Sequence, residues 1–240
     1  MTGEVLLMAG VLVLGASVQR LAGIGLALVA GPALALVLGP AEGVRLSNCA
    51  AGAISAFGLA TVWRQVRPRA MVPLLAAAVC TVPIGAVTAS RLPAPVLLTG
   101  MGAMVCGAVG LVMAGARAES LRGTGGAVTA GAVSGFMNSS AGIGGPAVSL
   151  YAVNAGWTVR EFVPNALFYG VVINIFSVTA KGPPDLSADA WALCAAAVAA
   201  GALIGRALGD RVPEAPARWL VLILGLAGGA ATLTKGLLGL

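Results

Sequence analysis

Two clusters of residues have types and spacings that could do chemistry, and each interrupts apolar sequence. The first is Gln19-Arg20-Leu21-Ala22-Gly23-Ile24-Gly25, and the second is Phe136-Met137-Asn138-Ser139-Ser140-Ala141-Gly142-Ile143-Gly144-Gly145-Pro146. Glycine and proline break helices, and every backbone group they free needs a partner. In hydrocarbon no water supplies one, so irregular backbone survives only inside protein or beside a wet cavity. A helix that restarts after such a break offers free N–H groups and a dipole that favours negative charge. Gln19, Asn138, Ser139 and Ser140 add side-chain hydrogen bonds, while Gly23, Gly25, Gly142, Gly144 and Gly145 allow a ligand close to the backbone. Arg20 adds a cation far from either basic loop, and a guanidinium in the membrane needs an anion or acceptors nearby. The chemistry these residues suit is reversible binding of a small anion. Two rival uses stand beside it: Arg20 snorkelling or capping carbonyls, and the small residues serving tight helix packing.

Other polar residues fit less specific roles. Glu42 and Glu161 could carry protons as a carboxylate pair. They also suit helix starts, because Thr158-Val159-Arg160-Glu161 has the pattern of a capping box and Glu42 follows Pro40. Asn174 and Ser55 lie in mid-helix and could line a path or bond across a helix interface.

The elements that must position these residues follow from composition. Of 240 residues, 59% are hydrophobic and 9% charged, whereas soluble domains carry about 25% charged residues. Apolar runs long enough to cross a bilayer recur, so the chain is an all-α polytopic membrane protein. A porin-like barrel is excluded because the runs do not alternate. The net charge of +6 sits in short loops, where it reads as topology and not as a nucleic-acid surface. The chain has no histidine, and its four cysteines are scattered singly, so no metal site, no cofactor and no Ser-His chemistry is expected. Only Met1-Thr2-Gly3-Glu4 precedes the first apolar segment, which is therefore read as membrane structure and not as a cleaved signal.

In order, the sequence predicts an apolar segment over 4–19, the first break, and a segment over 26–38, each piece too short to span. A turn at Gly39-Pro40-Ala41-Glu42 follows. Helices are expected over 43–63, 70–89 and 94–115, with a basic loop at Arg64–Arg69. The second half repeats the first. A shift of 119 places Ala22-Gly23-Ile24-Gly25 on Ala141-Gly142-Ile143-Gly144, Glu42 on Glu161 and Phe57 on Phe176. A shift of 120 places Arg91 on Arg211 and Pro93 on Pro213. The expected organisation is a first repeat over 1–116, a linker over 117–124 and a second repeat over 125–240.

Charge orients the halves. If each broken segment is a re-entrant hairpin, each half crosses three times and the repeats are inverted. Arg64, Arg67, Arg69, Arg117, Arg122, Arg160, Arg206, Arg211 and Arg218 then share one side, leaving Arg91, Lys181 and Lys235 opposite. If the broken segments cross instead, the basic residues divide evenly. The positive-inside rule selects hairpins, with both termini outside. Inverted repeats with broken helices at the midplane are a recurring plan for secondary transporters.

Gly-Ile-Gly-Gly-Pro after Asn-Ser-Ser, the earlier Ala-Gly-Ile-Gly and the duplicated helices together resemble the TauE/SafE sulfite exporter family, also called TSUP permeases, over essentially the whole chain. The resemblance implies a multi-pass permease of the bacterial inner membrane for sulfite, organosulfonates or other small anions, and it implies that 19–25 and 138–146 line the site. The expected partners are the anion and the lipid bilayer; a homo-oligomer is compatible with this. The alternatives are an anion channel, which shares the hairpins but has a continuous pore, and a non-transport assembly protein.

Overall fold

The computed structural model describes residues 3–22, 26–115, 122–209 and 214–240, without the side chains of 20–22, 209, 214, 215, 217 and 218. Among the described residues there are ten α-helices and no strands: α1 (Gly3–Ala22), α2 (Leu26–Leu38), α3 (Pro40–Val62), α4 (Pro68–Arg91), α5 (Ala94–Met113), α6 (Gly123–Ala141), α7 (Gly145–Asn154), α8 (Val159–Lys181), α9 (Ala188–Gly209) and α10 (Glu214–Leu238). Six of them, α3, α4, α5, α8, α9 and α10, are long and apolar enough to cross a membrane. Large apolar side chains such as Leu7, Val72, Ile175, Leu203 and Ile223 are left exposed on five different helices, as a lipid-facing surface requires. The chain is a polytopic helical membrane protein.

Several boundaries differ from the sequence reading. The expected turn at Gly39–Glu42 is the single residue Gly39, whose φ of 84° only glycine adopts readily. Pro40 then opens α3, where its missing N–H costs nothing. Both breaks are narrower than expected. Gln19 lies inside α1, and Phe136–Ala141 form the last turns of α6. The first arms of 20 and 19 residues therefore rise about 30 Å, long enough to span by length. The second arms, α2 and α7, hold only 13 and 10 residues. Gly23 and Gly25 lie outside the described residues, as do the Arg20 side chain and most of the 117–124 linker.

The helices pack across the two halves of the sequence. The principal neighbours are α4 with α6, α1 with α9, α5 with α10 and α3 with α8. On α6, Gly131 sits against Leu74 and Gly135 against Ala78, while Gly85 of α4 meets Phe136 and Ser139. The register rises together, so α6 runs parallel to α4. A Cβ on Gly131 would lie 2.1 Å from the Leu74 carbonyl oxygen, and one on Gly135 2.2 Å from that of Ala78. Absence of side chains at this small-xxx-small seam is what lets the two backbones touch.

This register also fixes the course of the second broken pair. α6 starts at the level of the Arg64–Arg69 turn because it runs beside the start of α4. α8 starts at the same end: Arg67 lies 2.6 Å from Glu161, and the Arg67 N–H donates to Asn165 Oδ1 at 2.9 Å. With α7 ending only a few residues before α8, α6 and α7 form a hairpin that enters and leaves at one end. The α2–α3 junction belongs to the other end, where the Asp185 N–H donates to Glu42 at 3.0 Å.

Candidate functional site

The second break is built by the end of α6. Gly142, at φ 74°, is the left-handed cap; its N–H donates to the Asn138 carbonyl, and the Ile143 N–H reaches back to Met137. The Gly142 bond is that of an αL cap, which closes a helix where the chain must reverse. Ser134 completes the reversal by donating to the Gly144 carbonyl at 2.6 Å, while Tyr169 donates to the Ser134 hydroxyl at 2.7 Å. α7 then begins at Gly145.

Three hydrogen bonds fix Asn138 at the centre of the molecule. Its amide donates to Asn174 Oδ1 at 3.2 Å and to Ser177 Oγ at 2.9 Å, and its carbonyl accepts from Asn48 Nδ2 at 3.4 Å. All four residues are buried. Asn174 in turn donates to the Gly170 carbonyl at 2.7 Å. At the first break, Gln19 holds the start of α2: its Oε1 accepts from the Leu26 N–H at 3.2 Å, and its Nε2 donates to Ser55 at 3.4 Å.

A cavity of about 70 Å³ lies between these two constructions. Water needs about 10–15 Å³ on such a measure, so there is room for several waters or one ion of a few heavy atoms. Gln19, Asn138, Gly144, Gly145 and Asn174 line it, together with Ala27 and Leu28 at the start of α2. The starts of α2 and α7 therefore border one space, and each helix start carries roughly half a positive charge. Among the described residues no Asp or Glu lines the cavity. Its polar equipment is neutral amides and hydroxyls beside two helix starts, a set suited to a small anion and poor for a cation.

The remaining residues read as site candidates lie elsewhere. Ser139 is fully buried and packs against Gly85 of α4, its hydroxyl bonded back to the Gly135 carbonyl at 3.1 Å. Ser140 bonds back to Phe136 at 2.7 Å. Both are in the helix, and small hydroxyls in helices satisfy themselves on the preceding turn. Gly142 faces Ser47 and Asn48, away from the cavity. Glu161 forms the expected capping box with Thr158. Glu42 makes no cap of its own helix; it pairs with Arg45 at 2.8 Å and accepts from Asp185. Ser134, Tyr169 and Ser177 were missed by sequence reasoning. Ser177 had a signal: Gly170, Asn174, Ser177 and Lys181 recur at helical spacing on α8.

A search of curated proteins and a search of solved structures each return no match. A family model does match: the chain aligns with "Sulfite exporter TauE/SafE" over residues 7–232. With six membrane-length helices and a match over nearly its whole length, the chain belongs to the sulfite exporter TauE/SafE family of membrane transporters.

Proposed function

We propose that the protein is a carrier for a small sulfur oxyanion, sulfite being the type case, which binds in the cavity between the starts of α2 and α7. The observation that carries this is the convergence of two helix N-termini and three side-chain amides on one space with no carboxylate among the described residues. The volume favours a compact oxyanion over a bulky organosulfonate in this conformation. In this reading the hydrogen-bonded Asn138–Asn174–Ser177 cluster, which ties α6 to α8, is a closed septum, which favours alternating access over a continuous channel.

The reciprocal packing of α1 with α9 and α4 with α6 supports a duplicated, inverted architecture, as does the hairpin course of α6–α7. In that arrangement one repeat rocks against the other, with the Arg64–Arg69 end cytoplasmic in a bacterial inner membrane. Arg20 supplies the charge beside Gln19. The carrier requires neither cofactor nor catalytic group.

The test is flux of radiolabelled sulfite into proteoliposomes. Saturable uptake that Arg20→Ala abolishes, in a variant that still purifies as a monodisperse folded protein, is the expected result. Absence of sulfite, thiosulfate and sulfonate uptake by the wild-type protein would refute the carrier reading.

A further inference from the structure

A second and larger chamber, about 480 Å³, lies further along α6 and α8 than the central cavity. Asn138 and Asn174 border the cavity, whereas Ser140 and Lys181 border the chamber. Ser177 lies between, bonded to Asn138. From Asn174 to Lys181 the helix rises about 10 Å. The chamber is thus on the other side of the septum, at the end of the bundle opposite the Arg64–Arg69 turn.

Its charge is one-sided. Arg45 and Lys181 line it, and among the described residues no Asp or Glu does. Arg45 is neutralised by Glu42 at 2.8 Å. Lys181 is left unbalanced: its Nζ donates to the Ser139 carbonyl at 2.9 Å and makes no ion pair among the described residues. The αL cap explains the geometry. Gly142 and Ile143 bond to Asn138 and Met137, which leaves the Ser139 carbonyl without a backbone donor. A lysine at a helix C-terminus suits that carbonyl. It occupies one of three ammonium donors and leaves two. Capping a carbonyl does not require a cavity beside the cap, and a half-buried ammonium next to several hundred cubic ångströms of space is placed to receive a ligand.

We infer that this chamber is a second anion station, in which Lys181 recruits a small oxyanion or sulfonate before it reaches the central cavity. The inference rests on the anion-carrier reading and adds a site that reading does not contain. The chamber has room for anions too large for the central cavity, so bulky aromatic sulfonates bind there and block sulfite without crossing.

The experiment measures sulfite uptake kinetics in proteoliposomes for Lys181→Gln, Ser90→Glu and Ser90→Lys. Ser90 is an exposed residue of the chamber wall whose hydroxyl bonds only within α4, so its substitution leaves the α6 cap intact. Lys181→Gln is expected to raise KM about tenfold, Ser90→Glu to raise it about threefold and Ser90→Lys to lower it by a similar factor, as electrostatic recruitment requires. The effects shrink at high salt. If Lys181→Gln fails to fold, the Ser90 pair still decides. Equal KM values in Ser90→Glu and Ser90→Lys, with wild-type transport intact, would overturn the inference and leave the carrier reading standing. A wild-type protein that moves no anion would instead remove the reading on which it rests.

Discussion

Asn138→Asp reverses the electrostatics of the central cavity at almost constant shape. The side chain is isosteric, and the surrounding hydrogen bonds can re-form with their sense changed: Ser177 can donate to the new carboxylate, and the Asn174 amide can turn to do the same. What changes is that a donor becomes an anion on the cavity wall. Two unit charges about 4 Å apart at an effective dielectric of 20 repel by about 4 kcal/mol. At 1.4 kcal/mol per decade, that is a loss of about a thousandfold in anion affinity. The new carboxyl can escape by taking a proton. From an ordinary value of about 3.9, protonation at pH 7 costs about 4 kcal/mol, and each pH unit lowered recovers 1.36 kcal/mol. Anion binding favours the protonated form, so affinity in this variant falls as pH rises and recovers as pH falls toward 4. Asn138→Ala, which removes both donors without adding charge, loses far less affinity and shows no such pH dependence. Isothermal titration with sulfite, on protein that remains monodisperse, reads both slopes. Equal affinities for Asn138→Asp and Asn138→Ala, or a gain for Asn138→Asp, would refute an anion site at this cavity.

Three further outcomes follow from the fold. Gly135→Leu forces α4 and α6 apart, since even a Cβ would stand 2.2 Å from the Ala78 carbonyl; overpacking costs about 1–3 kcal/mol or more, and a lowered melting temperature with lost transport is the expected result. Thr158→Ala removes the capping box at an exposed helix start, so it lowers thermal stability in detergent and leaves sulfite KM unchanged. Pro183→Cys, in a background with Cys80 and the other cysteines replaced, reacts with an impermeant thiol reagent from the outside of intact cells; labelling only after permeabilisation would invert the orientation.

The helices were legible because a bilayer demands long apolar runs, and the second break because Gly142 and Gly144-Gly145-Pro146 cannot continue a helix. The extent of each break was not legible. Asn138-Ser139-Ser140 looks irregular in sequence, yet a buried backbone keeps its helical bonds as long as it can, and the reversal is compressed into the residues around Gly142. Ser139 and Asn138 are neighbours of similar polarity with opposite fates. The helix turns one toward α4 and the other toward α8, and no composition argument separates them. Lys181 counted only as a loop charge in the sequence, because its partner is a carbonyl 42 residues away. The pairing of Asn174 with Asn138 likewise depends on how α8 crosses α6.

In the proposed carrier one anion at a time crosses between the starts of α2 and α7, past a closed septum. Counterflow tests it most directly. Proteoliposomes are preloaded with unlabelled sulfite, diluted, and given tracer sulfite outside. A carrier exchanges its bound anion, so preloading accelerates tracer entry and drives a transient accumulation above equilibrium. Tracer uptake that preloading leaves unchanged, carried as a steady anion current, would contradict it.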